Sequence, residues 1–363
     1  MKRLINLVNV VKQGRPPVGT TPTVCVHREN KWQLLRYVPS GATITHKTPV
    51  LLVPSLINRH YILDLMPGKS FAEHLAYLGH DVYIIDWGTP GPEDRFLDFD
   101  TICDAYIGRS VRKCALTAGS NTVHLLGYCL GGTLAAIYTA RRPEQVASLM
   151  LLAAPIRFGD TGLLSVWTKT PTFDVQQLTK AFGNIPWPLM QFSFHMLRPT
   201  LTLSKLVTVA DRAWNDEFLN GFVAMETWGN DNVSLPGAFY SKYIEELYRN
   251  DALATGTLGI SGRPVQLHTI RCPLLAVTFE HDNIVPKESA AAIFDLVGSK
   301  EKHSIHLPGG HVGGVVSSKA KKTLWPQLSN FWVDVDNTSQ RVVGKNKPPT
   351  NQTGPKTEPR PAD

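Results

Sequence analysis

The 363-residue sequence predicts an α/β protein built on a mostly parallel sheet with helices on both faces. Short, almost wholly apolar runs, a turn signal after each, and helical periodicity between them carry that prediction. Alternating hydrophobicity would mark a half-solvated strand, whereas continuous runs such as Val50–Val53 and Val146–Ala153 mark strands covered on both sides.

In order, Leu4, Leu7, Val8 and Val11 recur at helical spacing, so residues 1–20 are expected to be an amphipathic arm. Strands are predicted at Thr23–His27, Trp32–Val38 and Val50–Val53. Ser70–Leu78 reads as a helix closed by Gly79, and Asp81–Ile85 as the strand running into Asp86-Trp87-Gly88. Asp100–Ala118 is a helix by periodicity, Thr122–Leu126 a strand, Leu130–Arg142 a helix stopped by Pro143, and Val146–Ala153 a strand. Residues 157–268 break the alternation: β-like runs are scarce, and apparent helices lie at Val175–Ala181 and Phe239–Arg249. The pattern resumes with a strand at Pro273–Phe279, a helix at Ser289–Val297, a strand at His303–Leu307 and an amphipathic segment at Lys319–Val333. The predicted organisation is a core of residues 21–156 and 269–336, a mostly helical cap insertion at 157–268, and a disordered Pro-rich tail at 337–363.

Composition excludes several classes. A hydrophobic fraction of 43% with 18% charged residues is ordinary for a soluble domain. The net charge of +7 includes a tail with five cations against two anions, and the remaining +4 is spread too thinly for a nucleic-acid footprint. The five cysteines, Cys25, Cys103, Cys114, Cys129 and Cys272, show no C-x-x-C spacing and are odd in number. A disulfide framework or metal site is therefore not expected, and a reducing cytoplasm is. The N-terminus reads as no signal peptide, and no run reaches the roughly eighteen apolar residues of a membrane span.

The sharpest signal is the string Thr122-Val-His-Leu-Leu-Gly127-Tyr-Cys129-Leu-Gly131-Gly132. A strand, then G-x-C-x-G-G, then a helix is the nucleophile elbow of the α/β-hydrolase fold with cysteine in place of serine. The elbow strains the backbone at Cys129 and brings Gly127 and Gly131 against neighbouring chain, where only small residues fit. The thiol then stands at a helix N-terminus, whose dipole favours negative charge, and the Leu130 N–H can face an oxyanion. A buried packing cysteine is the bland reading, and the strand–turn–helix context argues against it. Cysteine catalysis needs a base and a residue to orient it, in the chain order nucleophile, acid, histidine. Asp282 follows the strand ending at Phe279, and His311, flanked by glycines, follows the strand ending at Leu307. Glu280 is the fallback acid; His281, His303 and His306 compete for the base and read more naturally as surface or structural. The second oxyanion donor is expected from the N–H of Leu56 or Ile57 after the Val50–Val53 strand. Asp86 and the other four cysteines read as structural.

With these residues in view, Pro54-Ser-Leu-Ile-Asn-Arg-His-Tyr-Ile-Leu-Asp-Leu65, Asp86-Trp-Gly88, Gly127-Tyr-Cys-Leu-Gly-Gly132, Gly183-Asn-Ile-Pro186, His281-Asp-Asn-Ile-Val-Pro286 and Gly309-Gly-His-Val-Gly313 resemble the poly(3-hydroxyalkanoate) synthases across residues 20–335. The resemblance implies the same triad, Cys129, Asp282 and His311. It implies polymerisation of (R)-3-hydroxyacyl-CoA with coenzyme A as a product, no cofactor, and a cytoplasmic enzyme at the surface of polymer granules. The short chain resembles the catalytic subunits that work with a separate partner subunit, and family members commonly form homodimers. Asn283 departs from the family, which often has histidine after the acid. The rivals are a cysteine-dependent thioesterase or hydrolase, of which dienelactone hydrolases share the elbow, and a non-enzymatic granule-associated protein. The 153-position separation of Cys129 and Asp282 argues against the compact hydrolases, and an intact triad against the third reading.

Overall fold

The computed structural model describes residues 16–197 and 208–345, with side chains through Ser339. Eight strands form one sheet: β1 (Thr23–Glu29), β2 (Trp32–Tyr37), β3 (Val50–Val53), β4 (Val82–Asp86), β5 (Val123–Tyr128), β6 (Val146–Leu152), β9 (Leu274–Phe279) and β10 (Lys302–Leu307). Their order is β1-β2-β4-β3-β5-β6-β9-β10. The β1–β2 and β2–β4 pairings are antiparallel and all others parallel. Every residue of β3, β5 and β9 is buried, while the edge strands β1 and β10 are mostly exposed. Strand position thus explains why the central segments read as continuous apolar runs.

Period-two geometry divides those runs between two cores. Leu51, Val53, Val123 and Leu125 point into one, with α2 (Ile107–Ala118) and α3 (Leu130–Arg141). Val50, Leu52, Leu126 and Tyr128 point into the other, with α1 (Phe71–Tyr77) and a long C-terminal helix. The α1 helix starts where Ser70 Oγ accepts the Glu73 N–H at 2.9 Å, and α2 ends on Gly119, at φ 66°. α3 is apolar or small nearly all round and buried from Leu130 to Ala140.

Between β6 and β9 lie α4 (Leu163–Thr168), α5 (Val175–Phe182), α6 (Trp187–Met196), α7 (Asp216–Asn230), α8 (Gly237–Lys242) and a small hairpin of β7 (Gly259–Ile260) with β8 (Arg263–Pro264). After β9 come α9 (Lys287–Ala291), α10 (Ile293–Leu296), α11 (Gly313–Val316), α12 (Ser318–Thr323) and α13 (Trp325–Lys345).

Most predicted elements lie within two residues of the observed ones, and the differences have local causes. The helices expected at 100–118 and 239–249 contain π-turns at Thr101–Tyr106 and Tyr243–Arg249, a widening that side-chain periodicity does not announce. The final segment, expected to end by Val333 and give way to disorder at 337, continues as α13 to Lys345. Asn337–Ser339 are exposed, and a solvated helix has the same composition as a disordered tail. The amphipathic reading of Leu4–Val11 and the tail from 346 lie outside the described residues; Pro16–Thr20 run without helix, the Gly19 N–H donating to Asp64 O at 3.0 Å.

Candidate active site

Cys129 closes β5 and caps α3 at φ 54° and ψ −132°, a strained conformation for a residue with a side chain. Its surroundings explain how the strain is held. A Cβ on Gly127 would overlap Gly132 Cα and Gly131 O, and one on Gly131 would overlap the carbonyl oxygens of Val53 and Pro54. The turn is anchored by the Cys129 N–H donating to Leu152 O at 3.0 Å. Leu130, the first residue of α3, has an N–H with no acceptor inside its own helix.

Asp282 and His311 reach this turn from the loops after β9 and β10. Asp282 Oδ1 accepts the N–H groups of Ile284 and Val285, both at 2.9 Å. Its other oxygen lies 2.7 Å from His311 Nδ1, and the two side chains are 1% and 7% exposed. Cys129 lines the same cavity as His311. Burial alone would depress the His311 pKa, but the nearby Cys129 and Asp282 raise it to about 10. The fold thus brings Cys129, Asp282 and His311 together from the ends of β5, β9 and β10.

Tyr128 was not anticipated. It lies on the α13 side of β5, packs its ring 5.3 Å from the His311 ring, and donates its hydroxyl to the His311 carbonyl at 3.3 Å. Burial, with Cys129 and Asp282 nearby, pushes the phenol well above its ordinary pKa, so it stays a neutral donor. The alternation His124, Leu126, Tyr128 was the available signal: a tyrosine beside the nucleophile on a fully buried strand needs a hydroxyl partner.

The oxyanion candidates separate. Ile57 borders the same cavity as Cys129, but its N–H donates to Ser55 Oγ at 3.2 Å. The Leu56 side chain turns away against Trp87 and Tyr106, and its N–H has no hydrogen-bond acceptor among the described residues.

The competitors lie elsewhere. Glu280 is exposed, His303 pairs with Glu301 at 3.1 Å, and His306 Nδ1 is 2.8 Å from Thr278 Oγ1. His281 is exposed at the cavity rim. Asp86 accepts the Gly88 N–H at 3.0 Å and faces His60 at 3.2 Å. Burial pushes the Cys103 and Cys114 thiols far up and Cys272 to about 12; Cys25 is exposed on the edge strand.

A cavity of about 530 Å³ opens over Cys129 and His311. The core supplies Ser55, Ile57, Tyr128, Asn283 and Gly310 to its walls; α6 and α7 supply Phe194, Phe218, Phe222, Met225 and Trp228. One wall carries the reactive groups; the other is mainly aromatic and apolar, with Gln191, His195, Glu226 and Asn230 among its side chains, which suits an acyl chain with a polar end beside a thiol.

The comparisons with known proteins agree with this geometry. Residues 48–315 match the family described as alpha/beta hydrolase fold. Among solved structures, the monoacylglycerol lipase of Paleococcus ferrophilus superposes with a TM-score of 0.51 at 18% identity, over 84% of this chain and 100% of that one. A thermophilic esterase of Thermogutta terrifontis does so with 0.53 at 15% identity, over 88% and 100%. The molecule is thus an α/β-hydrolase-fold protein whose elbow carries cysteine. Residues 11–75 match the N-terminus of poly-beta-hydroxybutyrate polymerase (PhaC). The chain is 35% identical over 338 residues to the poly(3-hydroxyalkanoate) polymerase subunit PhaC of Haloferax mediterranei, spanning 93% of this chain and 68% of that one. It is 33% identical over 326 residues to the PhaC subunit of Allochromatium vinosum, spanning 89% and 91%. The chain belongs to the poly(3-hydroxyalkanoate) polymerase family and is an acyl-transferring enzyme. Among the described residues no helix is long and apolar enough to cross a membrane.

Proposed function

We propose that this enzyme polymerises (R)-3-hydroxyacyl-CoA through an acyl-Cys129 intermediate and releases coenzyme A. The observation that carries the reading is the half-buried Cys129 beside the bonded His311–Asp282 pair, opening onto a largely apolar cavity. His311, raised to about 10, holds the proton that Cys129 gives up as it attacks. Cys129 Sγ adds to the thioester carbonyl, and the resulting oxyanion is met by the Leu130 N–H and the N–H groups of the Leu56–Ile57 loop. Collapse breaks the bond to the coenzyme A sulfur, which leaves with the proton from His311. One thioester has replaced another, so the acyl group remains activated.

Acylation also resets the base. Once the proton has left with coenzyme A, the imidazole is free to accept another. It takes the proton of a 3-hydroxyl, whose oxygen attacks an acyl thioester: the new ester bond forms as a C–S bond breaks. Asp282 orients the ring and balances its charge throughout. The apolar wall from α6 and α7 keeps water from competing with the hydroxyl. This cycle needs neither metal nor redox cofactor, because the thioester already carries the activation.

The same reading sets the enzyme in the cytoplasm at the surface of polymer granules, working with a separate partner subunit. The designation of its relatives as polymerase subunits supports a partner. The test is coenzyme A release from (R)-3-hydroxybutyryl-CoA and a longer homologue, with and without a candidate partner, and with the acyl product identified. Polymer supports the proposal; free 3-hydroxy acid moves the enzyme to the thioesterases.

A further inference from the structure

The two walls of the cavity are built differently. Cys129, Asp282 and His311 are each fastened to the core, through Leu152 O, the Ile284 and Val285 N–H groups, and the Tyr128 hydroxyl. The loop Ser55–Tyr61, which leaves β3 past the nucleophile, is fastened instead to the C-terminal end of α7 in the cap. The Val233 N–H donates to Ile57 O at 3.5 Å, and Asn58 forms an antiparallel bridge with Asn232, their side-chain amides bonded. Trp228 Nε1 donates to Arg59 O at 2.8 Å. Asp231 holds two loop side chains at once: Arg59 Nε at 3.2 Å on one oxygen and the Tyr61 hydroxyl at 2.8 Å on the other.

We infer that Asp231 is a positioning residue for the oxyanion donor, acting from the cap through Arg59 and Tyr61. The inference rests on reading Cys129 as the nucleophile. An oxyanion donor works only within about 2.7–3.1 Å of the charge it meets, and a misplacement near 1 Å costs roughly 10²-fold in rate. On the core side the loop is held by Trp87 Nε1 to Pro54 O at 3.0 Å, by Ile57 N–H to Ser55 Oγ at 3.2 Å, by Arg59 to Thr89 Oγ1 at 2.9 Å and by His60 to Asp86 at 3.2 Å. The cap holds the same stretch from the other side, where one carboxylate grips residues two apart in the chain. The position of the donor therefore depends on the cap contact at Asp231. Alkylation of Cys129 has no such dependence, because among the described residues no hydrogen bond joins a triad side chain to the cap.

Two probes of the full chain separate these properties. Iodoacetamide alkylates the thiolate by displacing iodide and develops no oxyanion; its rate at Cys129 stays within twofold of wild type in Asp231→Ala and Asp231→Asn. An alkyl trifluoromethyl ketone accepts Cys129 Sγ at its carbonyl carbon: the S–C bond forms, the C=O electron pair moves onto oxygen, and the thiol proton resides on His311. Its Kd rises at least tenfold in Asp231→Ala, and less in Asp231→Asn, which keeps an amide oxygen for Tyr61. Unchanged ketone affinity in Asp231→Ala overturns the assignment, as does alkylation that falls in parallel with affinity. Cys129→Ala keeps the two readings apart: an adduct that persists without this thiol overturns the nucleophile itself, whatever Asp231 does.

Discussion

Two buried histidine–carboxylate pairs are built into the same sheet, at opposite ends of its strands. At the C-terminal ends, His311 meets Asp282 at 2.7 Å. At the other end, His124 on β5 meets Asp336 on α13 at 3.1 Å, with Ser148 Oγ at 2.8 Å on its second nitrogen and Thr48 Oγ1 donating to Asp336 at 2.8 Å. Trp332 stacks 6.0 Å from the His124 ring, and nearby His80 bonds Ser329 Oγ at 2.8 Å and stacks 4.4 Å from His46. The chemical pair is the same, and the neighbours differ. His311 stands with Cys129 on the wall of a cavity; His124 spends its second nitrogen on a structural serine under a tryptophan. A charge pair becomes a catalyst only where one valence is left for a reactive group, and otherwise it is a bolt.

The largest effect that could break this contrast is at Cys129. Cys129→Ala should lower acyl transfer by roughly 10⁴-fold or more while the protein stays folded, since it deletes the group that distinguishes the two ends. Retained coenzyme A release would remove the reason for calling the upper pair catalytic. Asp282→Asn should follow at roughly 10³–10⁴-fold, by misorienting His311, read as the rate of coenzyme A release. At the lower end, Asp336→Ala strips partners from His124 and Thr48 and should cost about 1–3 kcal/mol of stability, read as a shifted denaturation midpoint, with the rate per folded molecule within twofold. A rate that fell with Asp336 would tie the two ends together and undo the comparison.

The smallest effect is the most discriminating in sign. His80 is lowered to about 3 by burial and by His46 and His124, against a smaller opposing influence of Asp336. The unfolded chain binds its proton near 6.5, so His80 supports folding above that pH and withdraws support as pH falls toward 3. His311, raised to about 10, runs the other way: its support is complete below about 6.5 and is lost as pH rises through 10. Stability against pH should therefore peak near neutrality, with His80→Phe flattening the acid limb and Cys129→Ala the alkaline one. Variants that flattened the opposite limbs would reverse these assignments.

The upper site was largely legible in the sequence because each member follows its own strand: Cys129 after β5, Asp282 after β9, His311 after β10. A short motif at a strand end carries its geometry with it. The donor loop was legible only to a choice between Leu56 and Ile57, and the bond from the Ile57 N–H to Ser55 Oγ that distinguishes them has no sequence signature. Asp231 and the lower pair were not legible. Their partners lie 170 residues away in Tyr61 and 212 away in His124, and neither aspartate sits in a pattern that names a partner. The tail boundary drawn at Asp336 fell on the residue that joins α13 to the sheet. Composition sees a run of polar residues there, and only the packed structure shows that one of them is bonded inward.

The lower pair also bears on how the chain reaches this state. Thr48 and Asp336 stand 288 residues apart, and their contact closes the floor of a sheet whose strands were all made earlier. The entropy of closing so long a loop is recovered only when Asp336 and Trp332 arrive together, so the floor should be among the last parts to set during synthesis on the ribosome. Until then β5 offers His124 and its apolar neighbours to solvent, and a nascent chain stalled short of α13 would be the form most exposed to chaperones.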